Sequence, residues 1–263
     1  MIGTTEAWDR GRWADAAADE LAATGRVLLH AIPGAEVRPV GELTVYLSGT
    51  PFPPANGVVA TRALMSTEDL ATAVTIVAAT GLPHLVQLRR GLSPVADAWL
   101  VAHGYVVADA APAMVLPVAG QLAVPELPGL WMERVTSAEG LELHLQVACA
   151  AFEMPYELLS QVFTLDSLAQ PSIRVYLGWI GAEAVTTAVG IVSGNAVGVY
   201  TVGTLPAERG KGYGAAITAV VVAEAVRTGA TWSYLQSSES GFGVYQRLGY
   251  EIVDRWELWA PTA

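Results

Sequence analysis

With 263 residues, of which 52% are hydrophobic and 15% charged, the chain is long enough for one large domain or two ordinary ones. It is apolar enough to fold around a core rather than stay disordered. A formal charge of −11 argues against nucleic acid as a partner, because phosphate neutralisation needs clustered Lys and Arg. The same charge suits cationic small molecules or amines, or simply a solvated acidic surface.

Cys149 is the only cysteine, so no internal disulfide can form, and its apolar surroundings (147–151) read as those of a buried, inert thiol. The first residues, with Glu6 and Asp9, lack the basic and apolar regions of a signal peptide. Apolar stretches at 106–124 and 215–226 are broken by Asp109, Pro112 and Pro117, and by Glu224, so neither reads as a membrane span. The expectation is a soluble, cytoplasmic protein. His30, His84, His103 and His144 are scattered without ligand spacing, which gives no metal site.

In chain order, a helix is expected over 5–24, ending at Gly25. Strands follow near 27–32, 43–47 and 58–63. A helix runs from Ser66 to about Ala79, with Ser66 and Asp69 spaced like a capping box. Residues 85–88 read as a strand and Ser93-Pro94 as a helix start, since proline is favoured at the first helical position. A Pro- and Gly-rich stretch at 117–129 separates this region from a second one. There a strand at 130–135 is followed by helices at 137–151, with Ser137 as N-cap, and at 155–163. Strands at 173–179, 184–192 and 197–202 precede a helix at 215–227, a strand at 232–236, a short helix carrying Tyr245, and a final strand.

The most informative segment lies between the 197–202 strand and the 215–227 helix: Arg209-Gly210-Lys211-Gly212-Tyr213-Gly214. Glycines let backbone N–H groups approach an anion closely, and the helix that follows adds partial positive charge at its N-terminus. A P-loop is ruled out by Leu205 and Gly212 at positions that need Gly and Ser or Thr. A dinucleotide fingerprint fails on its glycine spacing and lacks an early βαβ unit. The remaining pattern resembles the coenzyme A loop of the GNAT superfamily of N-acetyltransferases. Downstream, Tyr245-Gln246-Arg247-Leu248-Gly249-Tyr250 is similar to that family's Tyr-x-x-x-Gly-Phe signature.

The resemblance implies that Val202, Gly203 and Thr204 pair with the pantetheine arm of coenzyme A, that residues 209–214 hold its pyrophosphate, and that Tyr245 protonates the departing thiolate. Ser238 stands where many members carry Asn. For the general base, Glu153 is the candidate, with Tyr200, Tyr234 and a relayed water as competitors. His103-Gly104-Tyr105 echoes Leu248-Gly249-Tyr250 at a separation of 145 residues (249 − 104), which suggests a duplicated unit. The corresponding place near 64–69 offers Glu68 and Asp69 but no glycine, and these carboxylates would repel a pyrophosphate.

The expected fold is therefore α/β (α+β), with two GNAT-like domains, each a mixed, largely antiparallel central sheet flanked by helices. The first, degenerate domain would span 1–119, a linker 120–129, and the second domain 130–263. The implied activity is acetyl-coenzyme A dependent N-acetylation of a small primary amine, without metal. The alternatives are a noncatalytic acyl-coenzyme A binding protein and a protein or peptide N-acetyltransferase.

Overall fold

The computed structural model describes residues 9–64, 66–118 and 122–262. The start of the first expected helix at 5–8, the Glu6 position, Met65 and residues 119–121 of the expected boundary lie outside them.

The first helix, α1 (Arg10–His30), starts at Asp9, whose carboxylate accepts from the Arg12 N–H. It does not stop at Gly25, and the strand expected over 27–32 is instead its last turns. Gly25 is tolerated inside the helix because a Cβ there would lie 2.8 Å from the Tyr46 hydroxyl, which itself donates to the Ala22 carbonyl at 2.9 Å. The run Val27-Leu28-Leu29 continues the helical apolar face, and Leu29 is buried.

A meander of β1 (Glu36–Val40), β2 (Leu43–Leu47) and β3 (Asn56–Ala60) follows. The sequence reading misses β1, an edge strand with no buried residue to carry an apolar alternation. Helix α2 (Glu68–Ala78) starts from Thr67 with no side-chain cap, so the expected capping box does not form. After it come β4 (Leu85–Arg89), α3 (Pro94–Ala102) and β5 (Tyr105–Pro117).

The second half runs β6 (Leu130–Arg134), α4 (Ala138–Phe152), α5 (Tyr156–Leu159), α6 (Leu165–Ala169), β7 (Ile173–Ile180), β8 (Glu183–Ser193), β9 (Ala196–Thr204), α7 (Tyr213–Arg227), β10 (Trp232–Gln236), α8 (Phe242–Arg247) and β11 (Glu251–Pro261). Ser137 caps α4 through the Gly140 N–H. Of the expected helix at 155–163 only α5 forms, followed by turns at 160–163, and Thr164 then opens the separate helix α6 in a capping box with Ser167.

All eleven strands form one sheet, ordered β1-β2-β3-β4-β11-β5-β10-β9-β8-β7-β6. Within it, β3 and β4 are parallel, as are β9 and β10, and the other neighbours are antiparallel. Each half lends its last strand to the other: β11 pairs with β4, β5 pairs with β10, and β5 and β11 pair with each other from Glu251↔Val115 to Pro261↔Tyr105. Helices α1 and α4 pack on one face of the sheet. On the opposite face, α2 and α3 cover the first half, and α7 and α8 the second. The first residues of α2 and α7, Glu68 and Tyr213, stand 145 residues apart, the same interval as the two Gly-Tyr pairs.

At the junction, Arg89 on β4 is buried. Its guanidinium donates to Asp254 of β11 at 2.5 Å, to Asp15 of α1 at 2.6 Å and to the Thr61 carbonyl at 3.0 Å. Asp254 is itself largely buried and Asp15 half-exposed, so the pair with Asp254 carries most of the effect. Arg89→Ala would strand a buried carboxylate. We expect a loss of about 3–5 kcal/mol of unfolding free energy, measured by urea denaturation; a loss under ~1 kcal/mol would mean that water already solvates the pair.

A second buried polar group has its protonation state fixed by neighbours. The hydroxyl proton of Thr187 goes to the Tyr176 carbonyl, so Thr187 accepts from His144 Nδ1, 2.7 Å away. His144 is therefore the neutral Nδ1–H tautomer. Its Nε2 has no partner, and Phe163 packs edge-on at 5.1 Å. Burial lowers its pKa to about 4. The folded pKa lies below the unfolded value, so the stability it confers is present above about pH 6.5 and lost as pH falls toward 4. The loss is worth about 3 kcal/mol at pH 4. His144→Gln should flatten that part of the stability profile, with denaturation midpoints at pH 7 and pH 4.5 as the measurement.

Candidate active site

The site is built around a place where two parallel strands part. Strand β9 meets β10 only at Trp232↔Ala196, Ser233↔Val197 and Tyr234↔Gly198, yet β9 continues to Thr204. On its other side, Val189 faces Tyr200 and Thr187 faces Gly203, which leaves one extra residue on β9. That bulge centres on Thr201 at φ 50°, a left-handed conformation costly for a β-branched residue. Gly203 lets α4 approach, since a Cβ there would lie 2.9 Å from the Ala151 Cβ.

Beyond the parting lies a cleft of about 750 Å³. Its walls are the end of α4 (Ala151, Phe152, Glu153), the end of β9 (Val202, Gly203, Thr204), residues 208–215 except Lys211, and the 238–247 segment with Ser238 and Tyr245. The candidate residues Val202, Gly203, Thr204, Arg209, Gly210, Gly212, Tyr213, Gly214, Ser238, Tyr245 and Glu153 thus come together around one cavity, although they span nearly a hundred residues of sequence. Gly210 and Gly212 take φ of 79° and 87°, and Gly212 is the N-cap of α7 with no side chain to cap it. The first-turn N–H groups of α7 have no acceptors within the helix and are left for an anion.

The two cations are placed differently from the simplest expectation. Arg209 donates to the Ala151 carbonyl at 2.7 Å and to the Thr204 carbonyl at 3.4 Å, tying the C-terminus of α4 to the end of β9. Lys211 is exposed and paired with Glu208 at 2.8 Å. An anion at this loop would therefore meet backbone N–H groups first, with both cations already engaged at its borders. Ser238 accepts from the Gly241 N–H at 3.2 Å and so holds the start of α8, the helix that presents Tyr245.

Tyr245 is buried, packs edge-on to Tyr250 at 5.9 Å, and burial raises its pKa to about 12. Its hydroxyl is a proton donor across the physiological range. Glu153 sits exposed at the rim, held at φ 52° as the C-cap of α4. Tyr200 and Tyr234 lie on the opposite side of the parting, in a hydroxyl cluster with Thr24: Tyr200 to Thr24 is 2.5 Å and Tyr234 to Thr24 is 2.7 Å. Burial raises the pKa of both tyrosines, which disfavours either as an anionic base.

The sequence gives no signal for the bulge at Thr201, for the wall contributed by Phe152, or for Gln236 at the end of β10; backbone torsion and long-range packing decide all three. Among the described residues, no group of three or more His, Cys, Asp or Glu side chains is placed to hold a metal ion, and no helix is long and apolar enough to cross a membrane.

The equivalent place in the first half is closed. The β3–β4 pairing runs from Gly57↔Leu85 to Ala60↔Leu88, to the last residue of β3. Gly57 is packed so tightly that a Cβ would lie 1.8 Å from the Leu85 carbonyl oxygen. The first turn of α2 carries Glu68 and Asp69 where α7 has Tyr213 and Gly214.

No protein-family model matches the sequence, and no curated protein matches it. Solved structures do. The chain is similar to a GCN5-related N-acetyltransferase from Kribbella flavida, with TM-score 0.74 and 24% identity over 94% of this chain and 96% of that one. A tandem GNAT protein from the clavulanic acid biosynthesis pathway gives TM-score 0.60 and 17% identity over 97% and 96% of the two chains. A GCN5-related N-acetyltransferase from Sphaerobacter thermophilus gives 0.60 and 15% over 83% and 80%. With its open strand pair, bulged β9 and glycine-framed α7 N-terminus, the chain has the fold of the GCN5-related N-acetyltransferases.

Proposed function

We propose that the protein is an N-acetyltransferase that moves an acetyl group from acetyl-coenzyme A to a primary amine of a small molecule, using the second half alone to bind the donor. The observation that carries this reading is the convergence on one cleft of an uncapped helix N-terminus, a bulged strand with free edge and a buried, protonated phenol. The donor would supply an acetyl thioester. The residues fit its parts: backbone N–H groups at 212–215 suit the pyrophosphate, and the β9 edge at Val202–Thr204 suits the amide-bearing pantetheine arm, as an added strand would.

In the transfer, the amine nitrogen forms a bond to the carbonyl carbon, the carbon–sulfur bond breaks, and the amine proton leaves to water or to Glu153 at the rim. Tyr245 donates a hydrogen bond toward the leaving sulfur. A thiol of reference pKa about 8.5 is less basic than a phenolate at about 12. Hydrogen-bond donation as the C–S bond breaks is therefore the main contribution of Tyr245, which keeps its proton, and the released thiolate takes its proton from solvent. The different-class reading, a noncatalytic acyl-coenzyme A binding protein, predicts the same binding with no transfer.

Two substitutions test these roles. Gly212→Asp puts a carboxylate where the anion would sit; at ~5 Å and an effective dielectric of about 20 the repulsion is about 3 kcal/mol, or roughly 10²-fold in Kd. Calorimetry with coenzyme A measures it, and unchanged affinity in the folded variant would rule out the cradle. Wild type should bind one coenzyme A per chain, two equivalent sites being incompatible with a closed first half.

Tyr245→Phe should keep the fold and donor affinity while slowing single-turnover acetyl transfer by up to about 10²-fold, at the low end of general-acid effects because water can substitute. Because the folded pKa is raised, wild-type transfer should show no downward limb from Tyr245 ionisation below about pH 11. Wild-type rates in Tyr245→Phe would reduce Tyr245 to a packing residue.

A further inference from the structure

On the opposite side of the strand parting from the cleft, a separate cavity of about 240 Å³ lies between the two halves. The first half contributes Leu21, Leu28, Phe52, Ala55 and Val59, and the second Leu159, Val162, Phe163 and Ile191. At one end it reaches Tyr200 and Thr201 of β9 and Gln236 of β10, and the residues just beyond, Val202 and Ser238, line the cleft. A group seated here would therefore lie next to the point where the acyl group would arrive.

Two features define what fits. First, none of the described lining residues is Asp, Glu, Lys, Arg or His; the Glu20 carboxylate is felt by Tyr200 and Tyr234 but lies outside the lining, so a charge in the cavity would have no direct partner there, and burying one unpaired is costly. Second, beside the polar side chains of Thr24, Tyr46, Gln87 and Thr201, the lining holds a complementary pair in Tyr200 and Gln236. Tyr234 donates to the Glu20 carbonyl at 2.8 Å, and Thr24 donates to the same carbonyl at 2.9 Å. The Tyr200 proton is then left to bond Thr24 or Tyr234, and the Tyr200 oxygen keeps a lone pair for an incoming N–H. Gln236 Nε2 is buried and has no partner, which leaves a donor waiting for an oxygen.

Resting on the acetyltransferase reading above, we infer that this cavity holds the acceptor, and that the acceptor is a weakly basic amine with a compact apolar body and a neutral carbonyl oxygen close to the nitrogen. The chemistry agrees with the absence of a carboxylate. An α-amino group of pKa about 7.7–8.0 is roughly one-third neutral at pH 7.5, whereas a lysine-like amine of pKa about 10.4 is only ~0.1% neutral. The cavity is smaller than the ~300–1,000 Å³ of drug-sized sites, which suits a compact amino-acid amide better than a sugar, while the cost of burying a second ammonium group tells against a diamine.

The test uses the full chain with acetyl-coenzyme A at pH 7.5, reading thiol release for leucinamide, phenylalaninamide, leucine, isoamylamine and 1,4-diaminobutane. The amides should exceed leucine and the diamine by at least about 10-fold in kcat/KM. Gln236→Leu should lower the leucinamide-to-isoamylamine ratio by about 10-fold, the worth of one hydrogen bond to a buried amide. A preference for the diamine, or a ratio untouched by Gln236→Leu, would overturn the assignment. So would faster use of hexanoyl- than acetyl-coenzyme A that is abolished by Ala55→Leu, since the cavity would then hold the acyl chain. If coenzyme A fails to bind, the acetyltransferase reading falls separately. In that case, or if no amine is acetylated, calorimetry with leucinamide alone decides. Binding weakened at least 10-fold by Ala55→Leu upholds the cavity as a site for this ligand class, and no binding by wild type rejects it.

Discussion

The antiparallel contact between β5 and β11 is the constraint on which the rest of this molecule depends. Each of these strands ends one half of the chain and fills the sheet of the other, so the halves cannot separate or rotate without breaking a long hydrogen-bonded ladder. Arg89 reinforces the join by holding β11 through Asp254 and α1 through Asp15. Because the two halves share one sheet, the cavity between α1, β3 and β9 is walled by both, with Leu21, Phe52 and Val59 from the first half and Phe163 and Ile191 from the second.

The same architecture appears twice with opposite outcomes. In the second half the parallel strands separate after Gly198, where Tyr234 and Tyr200 crowd the space above the glycine, and β9 leaves β10 while its bulge keeps it paired with β8 as far as Thr204. In the first half the parallel pair stays in register to the last residue of β3, and Gly57 draws the backbones together. The electrostatics follow the geometry: a glycine-framed helix start with no side-chain cap stands at the parted strands, and an acidic helix start stands beside the closed pair.

Much of this was legible in the sequence because local chemistry determined it. The strands at 43–47 and 232–236, the helix after Pro94 and the Ser137 cap all follow from alternation, proline placement and capping. The cradle glycines could be read for the same reason, since positive φ leaves few residue types. Longer-range choices were not legible. Val27-Leu28-Leu29 reads as a strand until Tyr46 is seen packing against Gly25 and holding the helix through it. Arg209 reads as a phosphate ligand until the Ala151 and Thr204 carbonyls appear beside it. The strand exchange has no local signature, because β11 would carry the same pattern whichever neighbour it joined. The uncharged cavity is assembled from residues far apart in the chain, each of which alone reads as ordinary core.

The exchange also bears on how the chain is made. Strand β4 has its core-facing Val86 and Leu88 in place early in synthesis, but the neighbour it needs, β11, starts only at Glu251, after the whole of the intervening second half has been made. Until then one side of β4 is an open edge with unpaired N–H and C=O groups, a template for pairing with other chains. The first half thus emerges first and is completed last. Its folding waits on the synthesis of the second half, and the contact of longest sequence separation is the one that makes the two halves a single body.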